Sequence, residues 1–233
     1  MTSIILDVET TGIDEPEVIE LAFMGPLDAP LSDASTIEYR YRPSKPITLG
    51  AMATHGIIEA DLADCEPWSA SAFTLPSSTQ FLVGHGIDYD WKAIGSPDIR
   101  RICTLALARA AWPTLDSHKL SALIYHLYPH GMARELVKGA HNAAADVGLC
   151  YRVLGALWDV AGRPDTWERF WQISEKARVP KVMSFGKFGP KNGQPGMLIS
   201  ELRRKNPSYV RWLLSGACDQ VNDDPYLQKA LTQ

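Results

Sequence analysis

The first residues alternate into an apolar run with no helical period. Ser3–Val8 is rich in β-branched side chains and short, which predicts a buried strand. Glu17–Met24 and Thr36–Arg42 predict two more strands, with Gly12, Pro26 and Pro30 among the punctuation between them. Leu49–Asp64 contains two short helical pieces, and Ser69–Ser78 is a polar, loop-like bridge. Gln80–Gly84 and Arg101–Thr104 read as a fourth and a fifth strand, each followed at once by a helix, Tyr89–Ile94 and Leu105–Trp112. Helical spacing returns at Leu120, Leu123, Ile124 and Leu127. A long Ala-rich helix then runs from about Asn142 to Val160, with Val147, Cys150, Tyr151, Leu154 and Leu157 on one stripe. Three strands followed by alternating helices and strands predict an α/β domain built on a mixed sheet.

The pattern changes after Gly162-Arg163-Pro164. Residues 1–162 form the expected main domain, 163–180 a helical connector, and 181–233 a small α+β module. In that module, Phe185–Gly193 reads as a strand with a glycine-rich turn, and Met197–Lys205 and Pro207–Leu214 read as short helices. Charge follows the same division. Residues 1–180 hold 15 basic and 23 acidic side chains, net −8, whereas 181–233 hold 8 and 4, net +4. Within 181–216, seven basic residues face Glu201 alone. Concentrated basic charge suits a polyanion, and it also suits a solvated surface.

Composition excludes several classes. At 233 residues, 45% apolar and 21% charged, the chain is long and apolar enough to bury a core without disulfides, and wholesale disorder is excluded. Cys65, Cys103, Cys150 and Cys218 lie far apart with no CxxC pair, which argues against a zinc ribbon and suits a reducing compartment. No leader pattern precedes Ile4, and no stretch has the length and apolarity of a membrane span, so the expectation is a soluble cytoplasmic protein.

The chemistry concentrates in Asp7-Val8-Glu9-Thr10-Thr11-Gly12. Residues i and i+2 of a strand project from one face, so Asp7 and Glu9 set two carboxylates side by side at the end of a buried strand. Adjacent anions repel unless a cation lies between them, and carboxylate oxygens suit Mg²⁺ or Mn²⁺. An isolated Asp-x-Glu is more often just an exposed strand end. Two later segments change that balance. His85-Gly86-Ile87-Asp88-Tyr89-Asp90 follows the fourth strand and puts Asp90 near a helix start. His141-Asn142-Ala143-Ala144-Ala145-Asp146 opens the long helix. Five helical steps turn through about 500°, so His141 and Asp146 meet only if His141 hangs from the preceding loop. An acid within an Ala-rich helix is costly unless paired or coordinated.

Together these segments resemble the three motifs of the DEDDh 3′→5′ exonucleases, a family with a ribonuclease-H-like fold. Pro46 and Ala51–Ile57 resemble the segment that in the family lies beside the substrate's 3′ end. Ile102-Cys103-Thr104, Leu107-Ala108-Arg109, Trp112-Pro113, Phe185-Gly186-Lys187 and Tyr209–Leu213 are similar to a DNA-degrading branch of it. The resemblance implies two Mg²⁺ or Mn²⁺ ions held by Asp7, Glu9, Asp90 and Asp146, with His141 as general base. Thr10, Thr11, Gly12 and His55 are then expected substrate contacts. His85 is expected to be structural; the seven tryptophans are expected mainly as core or interdomain anchors, with Trp91 also a candidate for a base-stacking surface. One departure stands out: the Asn that usually follows the second motif's His is Gly86 here. Asp88 rivals Asp90, although the preceding Tyr89 favours Asp90.

The implied partner is single-stranded or duplex-end DNA, with no membrane association; monomer and homodimer both stay open. The same chemistry directed at RNA or oligonucleotides is an alternative substrate reading. A catalytically weak nucleic-acid-binding module is an alternative of another class.

Overall fold

The computed structural model describes residues 2–28, 34–70, 73–191 and 194–233. Pro30, two residues of the 69–78 bridge and the Asn192-Gly193 end of the expected turn lie outside them. In chain order the elements begin with β1 (Thr2–Thr10), β2 (Val18–Leu27) and β3 (Thr36–Arg40), then α1 (Leu49–His55). Next come β4 (Thr79–Gly84), α2 (Asp88–Ala93), β5 (Arg100–Cys103) and α3 (Thr104–Ala111). Helices α4 (Leu120–Leu127), α5 (His130–Leu136), α6 (Ala143–Val160) and α7 (Trp167–Arg178) follow. The last four are α8 (Ile199–Lys205), α9 (Pro207–Leu213), α10 (Asp219–Asn222) and α11 (Pro225–Thr232).

The five strands form one mixed sheet in the order β3-β2-β1-β4-β5. β1 pairs antiparallel with β2 and parallel with β4, so it is the strand at which direction changes. Ile4, Ile5 and Leu6 on β1 and Phe81, Leu82 and Val83 on β4 are fully or almost fully buried. Such continuous apolar runs fit strands covered on both faces. One face packs on α6; the other carries Ile4, Leu6, Val8, Leu21 and Phe23 into a core shared with Ile87 and Ile94. In open α/β sheets, ligand crevices form beyond the carboxyl ends of the parallel strands. Here β1 ends in the acidic sequence and β4 ends just before Asp90.

The chain divides into two compact units, Met1–Ser174 and Glu175–Gln233. The second has its own core, with Met183, Ile199, Leu202, Leu213, Val221 and Leu231 buried. The strand expected at 185–193 is not formed among the described residues. Gly186–Phe188 is a single 3-10 turn, and the neighbouring extended pairings are the isolated bridges Val182–Leu198 and Lys191–Gln194. Gly186 at φ +69° and Pro190 explain this, because a left-handed residue and a missing N–H interrupt any ladder. The unit is therefore mainly helical, with α10 and α11 adding to the two expected helices. Trp91 takes the anchoring role expected of the tryptophans in general. Its indole N–H donates to the Pro97 carbonyl (2.8 Å), Arg101 lies 3.8 Å from its ring centroid, and it packs on the core. It is a packing residue.

Candidate active site

The strand register builds the site first. Asp7 and Glu9 project from the α6 side of β1, where Asp7 lies opposite Ala22 and Glu9 opposite Glu20 on β2. α6 then delivers Asp146 from its first turn. Carboxylate oxygens of Asp7, Glu9 and Asp146 lie within 4.8 Å of one another. Asp146 Oδ1 is buried and has no hydrogen-bond partner. Asp90 is 7% exposed and accepts the Val8 N–H at Oδ1 (3.2 Å), which places it behind the same stretch of β1. Asp88 instead pairs with Arg101.

The electrostatics follow from this crowding. Burial, then Asp90 and Asp146, hold the Asp7 carboxyl well above the usual carboxylate range. Burial pushes Glu9 up to about 8, with Asp146 and Glu20 adding to it. Burial also raises Asp90 to about 7, against the hydrogen bond from Val8. Asp146 is raised by burial too, in part offset by the His141 N–H and by the His141 ring. Carboxylates this close hold on to protons unless a cation replaces them. The donor set, all oxygen with one buried acceptor unanswered, fits a hard divalent cation.

His141 occupies the position expected for it, before the helix and beside Asp146. It is exposed, its backbone is left-handed (φ +70°), and its N–H donates to Asp146 Oδ2 (3.3 Å). Asn142 caps α6 by accepting the Ala145 N–H (3.1 Å). That turn is anchored by a residue the sequence reading passed over. Glu20 is fully buried; Oε2 accepts from Asn142 Nδ2 (3.0 Å) and the Ala143 N–H (2.8 Å), and Oε1 accepts Arg40 Nη2 (2.8 Å) and Nε (3.0 Å). Glu20 thus fixes the start of the helix that carries Asp146. Its signal was a lone acid within the apolar run Val18–Phe23, which is costly to bury without partners.

The expected substrate contacts divide. Gly12 and His55 are partly exposed. His55 is held on both ring nitrogens: Nδ1 accepts the Ile57 N–H (3.0 Å) and Nε2 donates to the Thr10 carbonyl (3.3 Å). Thr11 is a correction. It is 2% exposed, its hydroxyl accepts the Glu17 N–H, and its own N–H and C=O are bonded to Glu17 and Thr48. It shapes the turn, and its burial takes the side chain off the surface where a substrate contact was expected. Thr10 is also buried, its hydroxyl shared between the Gly12 carbonyl (3.0 Å) and the Tyr89 hydroxyl (2.5 Å). Tyr89, 40% exposed, also donates to the Gly12 carbonyl (2.8 Å) and was not among the expected contacts. A Cβ on Gly12 (φ +152°) would sit 2.9 Å from Thr48 Cγ2, so the turn is closed tightly over α1. His85 is structural, with Nε2 donating to the His118 carbonyl (2.9 Å) and Nδ1 beside the Thr104 hydroxyl (3.0 Å); burial lowers it to about 4.

Comparison with known proteins agrees with this geometry. Exodeoxyribonuclease 10 of Escherichia coli K12 is 26% identical over 212 residues, covering 91% of this chain and 90% of that protein. The structure of exonuclease X in complex with 5′ overhanging duplex DNA matches with a TM-score of 0.58 at 26% identity, covering 73% of this chain and 98% of that one. Escherichia coli exonuclease I bound to a dT13 oligonucleotide matches in fold, with a TM-score of 0.56 at 19% identity, over 70% of this chain and 42% of that one. Residues 4–154, which include β1, the Asp90 segment and the Asp146 helix turn, match the RNase T exonuclease profile. The chain belongs to the exonuclease family.

Proposed function

We propose that the chain is a divalent-cation-dependent exonuclease that hydrolyses DNA phosphodiesters from the 3′ end. The observation that carries this is the set of three carboxylates within 4.8 Å at the end of a buried strand, one with an unanswered buried oxygen. The DNA substrate rests on the similarity to exodeoxyribonuclease 10 and exonuclease X. Asp7, Glu9 and Asp146 would hold the cation, with Asp90 completing a second position directly or through water. Two Mg²⁺ or Mn²⁺ ions bound there would activate water and neutralise charge on the leaving oxygen.

The remaining chemistry belongs to the chain's own groups. The His141 imidazole takes the proton from the attacking water, held in a turn whose N–H donates to Asp146 Oδ2. A left-handed backbone just before the α6 cap lets the side chain reach over the site from a fixed loop. Tyr89, Gly12 and His55 form the rim at which the terminal nucleotide docks.

The test is cleavage of 5′-labelled single-stranded DNA, duplex DNA and RNA with Mg²⁺, Mn²⁺ or EDTA. A ladder shortening from the 3′ end, abolished by EDTA and stronger on DNA, is expected. Binding without cleavage in any metal would overturn the reading, and preference for RNA would overturn the substrate.

A further inference from the structure

The second unit carries an aromatic cluster at the edge of its core: Phe188 and Tyr209 pack against that core with part of each ring exposed, and Trp212 extends the cluster into solvent. On α9, Val210 and Leu213 turn inward at 7% and 0% exposure, whereas Trp212 is 48% exposed. Tyr209 precedes Trp212 by one helical turn, and their rings stack at 5.4 Å and 26°. Phe188 meets Tyr209 edge-on at 5.0 Å. The turn bearing Phe188 lies close against α9: a Cβ on Gly186 would come within 2.9 Å of the Tyr209 hydroxyl. The Lys187 ammonium lies 5.3 Å from the Phe188 ring centroid, and exposed Arg211 adjoins Trp212. The Phe185-Gly186-Lys187-Phe188 string, which the catalytic chemistry leaves unused, is what brings Lys187 to the aromatic rings.

We propose that Phe188, Tyr209 and Trp212, with Lys187 and Arg211, form a platform for unpaired DNA, separate in its residues from the carboxylate site. A large aromatic side chain left half in water forgoes part of its burial, which is recovered when a base stacks on it. Charge selects the occupant. Residues 181–216 contain seven cations and one acid, and that acid, Glu201, is already paired with Lys205. Among the described residues, Lys187 and Arg211 form no ion pair. A protein partner would need an acidic face to match; a single strand brings one phosphate per base. Aromatic rings interleaved with cations are the sequence-tolerant way of holding such a strand. The choice of DNA over other polynucleotides rests on the exonuclease reading.

The experiment uses the full chain. Affinity for a fluorescein-labelled 20-nucleotide oligothymidylate is measured by anisotropy in EDTA, so that nothing is cut. Cleavage of a thymidine dinucleotide with Mg²⁺ is measured separately. Trp212→Ala should weaken the 20-mer about 5- to 150-fold, corresponding to about 1–3 kcal/mol per stacked base, with dinucleotide cleavage within about twofold of wild type. Trp212→Phe should restore most of the affinity. Lys187→Ala with Arg211→Ala should make the log K against log salt slope shallower by about 1.4 on single strands. Unchanged 20-mer affinity and slope in these variants, with circular dichroism like wild type, would overturn the proposal and leave the face to a protein partner. A wild-type chain that binds the 20-mer through Trp212 yet cleaves neither the 20-mer nor the dinucleotide with Mg²⁺ or Mn²⁺ would overturn the nuclease reading alone.

Discussion

Glu9 and Glu20 are register partners on neighbouring strands, one residue apart across the sheet, and their fates are opposite. Glu20 is fully buried and answered by four donors from Arg40, Asn142 and Ala143. Glu9 belongs to a group of carboxylates that mostly face one another, and its proton is held up to about 8. A buried acid with its donors built in is architecture: here it locks the start of α6. A buried acid without them is a site awaiting a cation. The residue type is the same; Glu20 sits deeper, and its neighbours supply hydrogen-bond donors where those of Glu9 are mostly carboxylates.

Removing one carboxylate from each side should therefore act in opposite directions. Asp7→Asn and Asp146→Asn should abolish cleavage, because a ligand is lost while side-chain size is kept. Thermal unfolding in EDTA should show equal or slightly raised stability, as repulsion eases. Glu20→Ala should do the reverse to stability, leaving the Asn142 and Ala143 donors unanswered with a loss of about 1–3 kcal/mol, while Arg40, 41% exposed and also beside Glu38, is answered by water. If Asp7→Asn destabilised the metal-free chain while Glu20→Ala did not, the division into site and scaffold would be wrong.

His141 sharpens the comparison, because it touches the site through Asp146 yet is assigned no ligand role. His141→Ala should lower turnover about 10²–10⁴-fold, the scale for a general base, with little change in metal affinity by titration calorimetry. A large loss of metal affinity with normal turnover at saturating metal would make it a ligand instead.

Much of this was legible in the residues. Each strand was expected within a few positions of where it forms, because apolar β-branched runs flanked by Gly and Pro leave little else to build. The three carboxylate segments were found because each breaks an apolar pattern at an element end. Glu20 breaks the same pattern within Val18–Phe23 and was missed, since a strand interior gives no motif to read. α5 was also missed: Ala133 is its only buried residue, so its sequence carries almost no period. The Phe185–Gly193 strand failed for the opposite reason, with Phe185 and Phe188 suggesting a strand where the left-handed Gly186 turns the chain instead. Thr11 could not be separated from Thr10 by type, because only the closing of the turn onto Glu17 and Thr48 buries it.

Acidity offers a further separation of the two carboxylate groups. In the metal-free chain, Asp7, Glu9, Asp90 and Asp146 all bind protons more tightly folded than unfolded. Their contribution to stability is full below the unfolded pKa near 4 and is lost as pH rises through about 7 and 8. Buried His85, lowered to about 4, works the other way: it costs stability as pH falls from about 6.5. Above that the carboxylates act without it, so the melting temperature in EDTA should fall from pH 6.5 to 8.5. Asp7→Asn should flatten the fall, and Mg²⁺ should reverse it most at the high end, where fewer protons compete. A melting temperature that rose over this range in EDTA would mean the carboxylates already have their donors, as Glu20 does.

Gly86 gives the smallest expected effect and bears on the neighbouring strand end. Its φ is +89°, and a Cβ there would meet only Leu105 Cδ2, at 3.9 Å. Space therefore exists for the usual Asn, and the cost is conformational. Asn is among the residues that best tolerate a left-handed backbone, so Gly86→Asn should lose no more than about 1 kcal/mol by chemical denaturation. Asp90 lies only one helical turn beyond, held by the Val8 N–H. If the added amide supplies Asp90 or a substrate with a donor, turnover should rise by a few fold and the apparent metal affinity should shift with it. A drop of several kcal/mol would instead show that position 86 needs glycine outright, and that the carboxylate group depends on the β4 turn as firmly as Asp146 depends on Glu20.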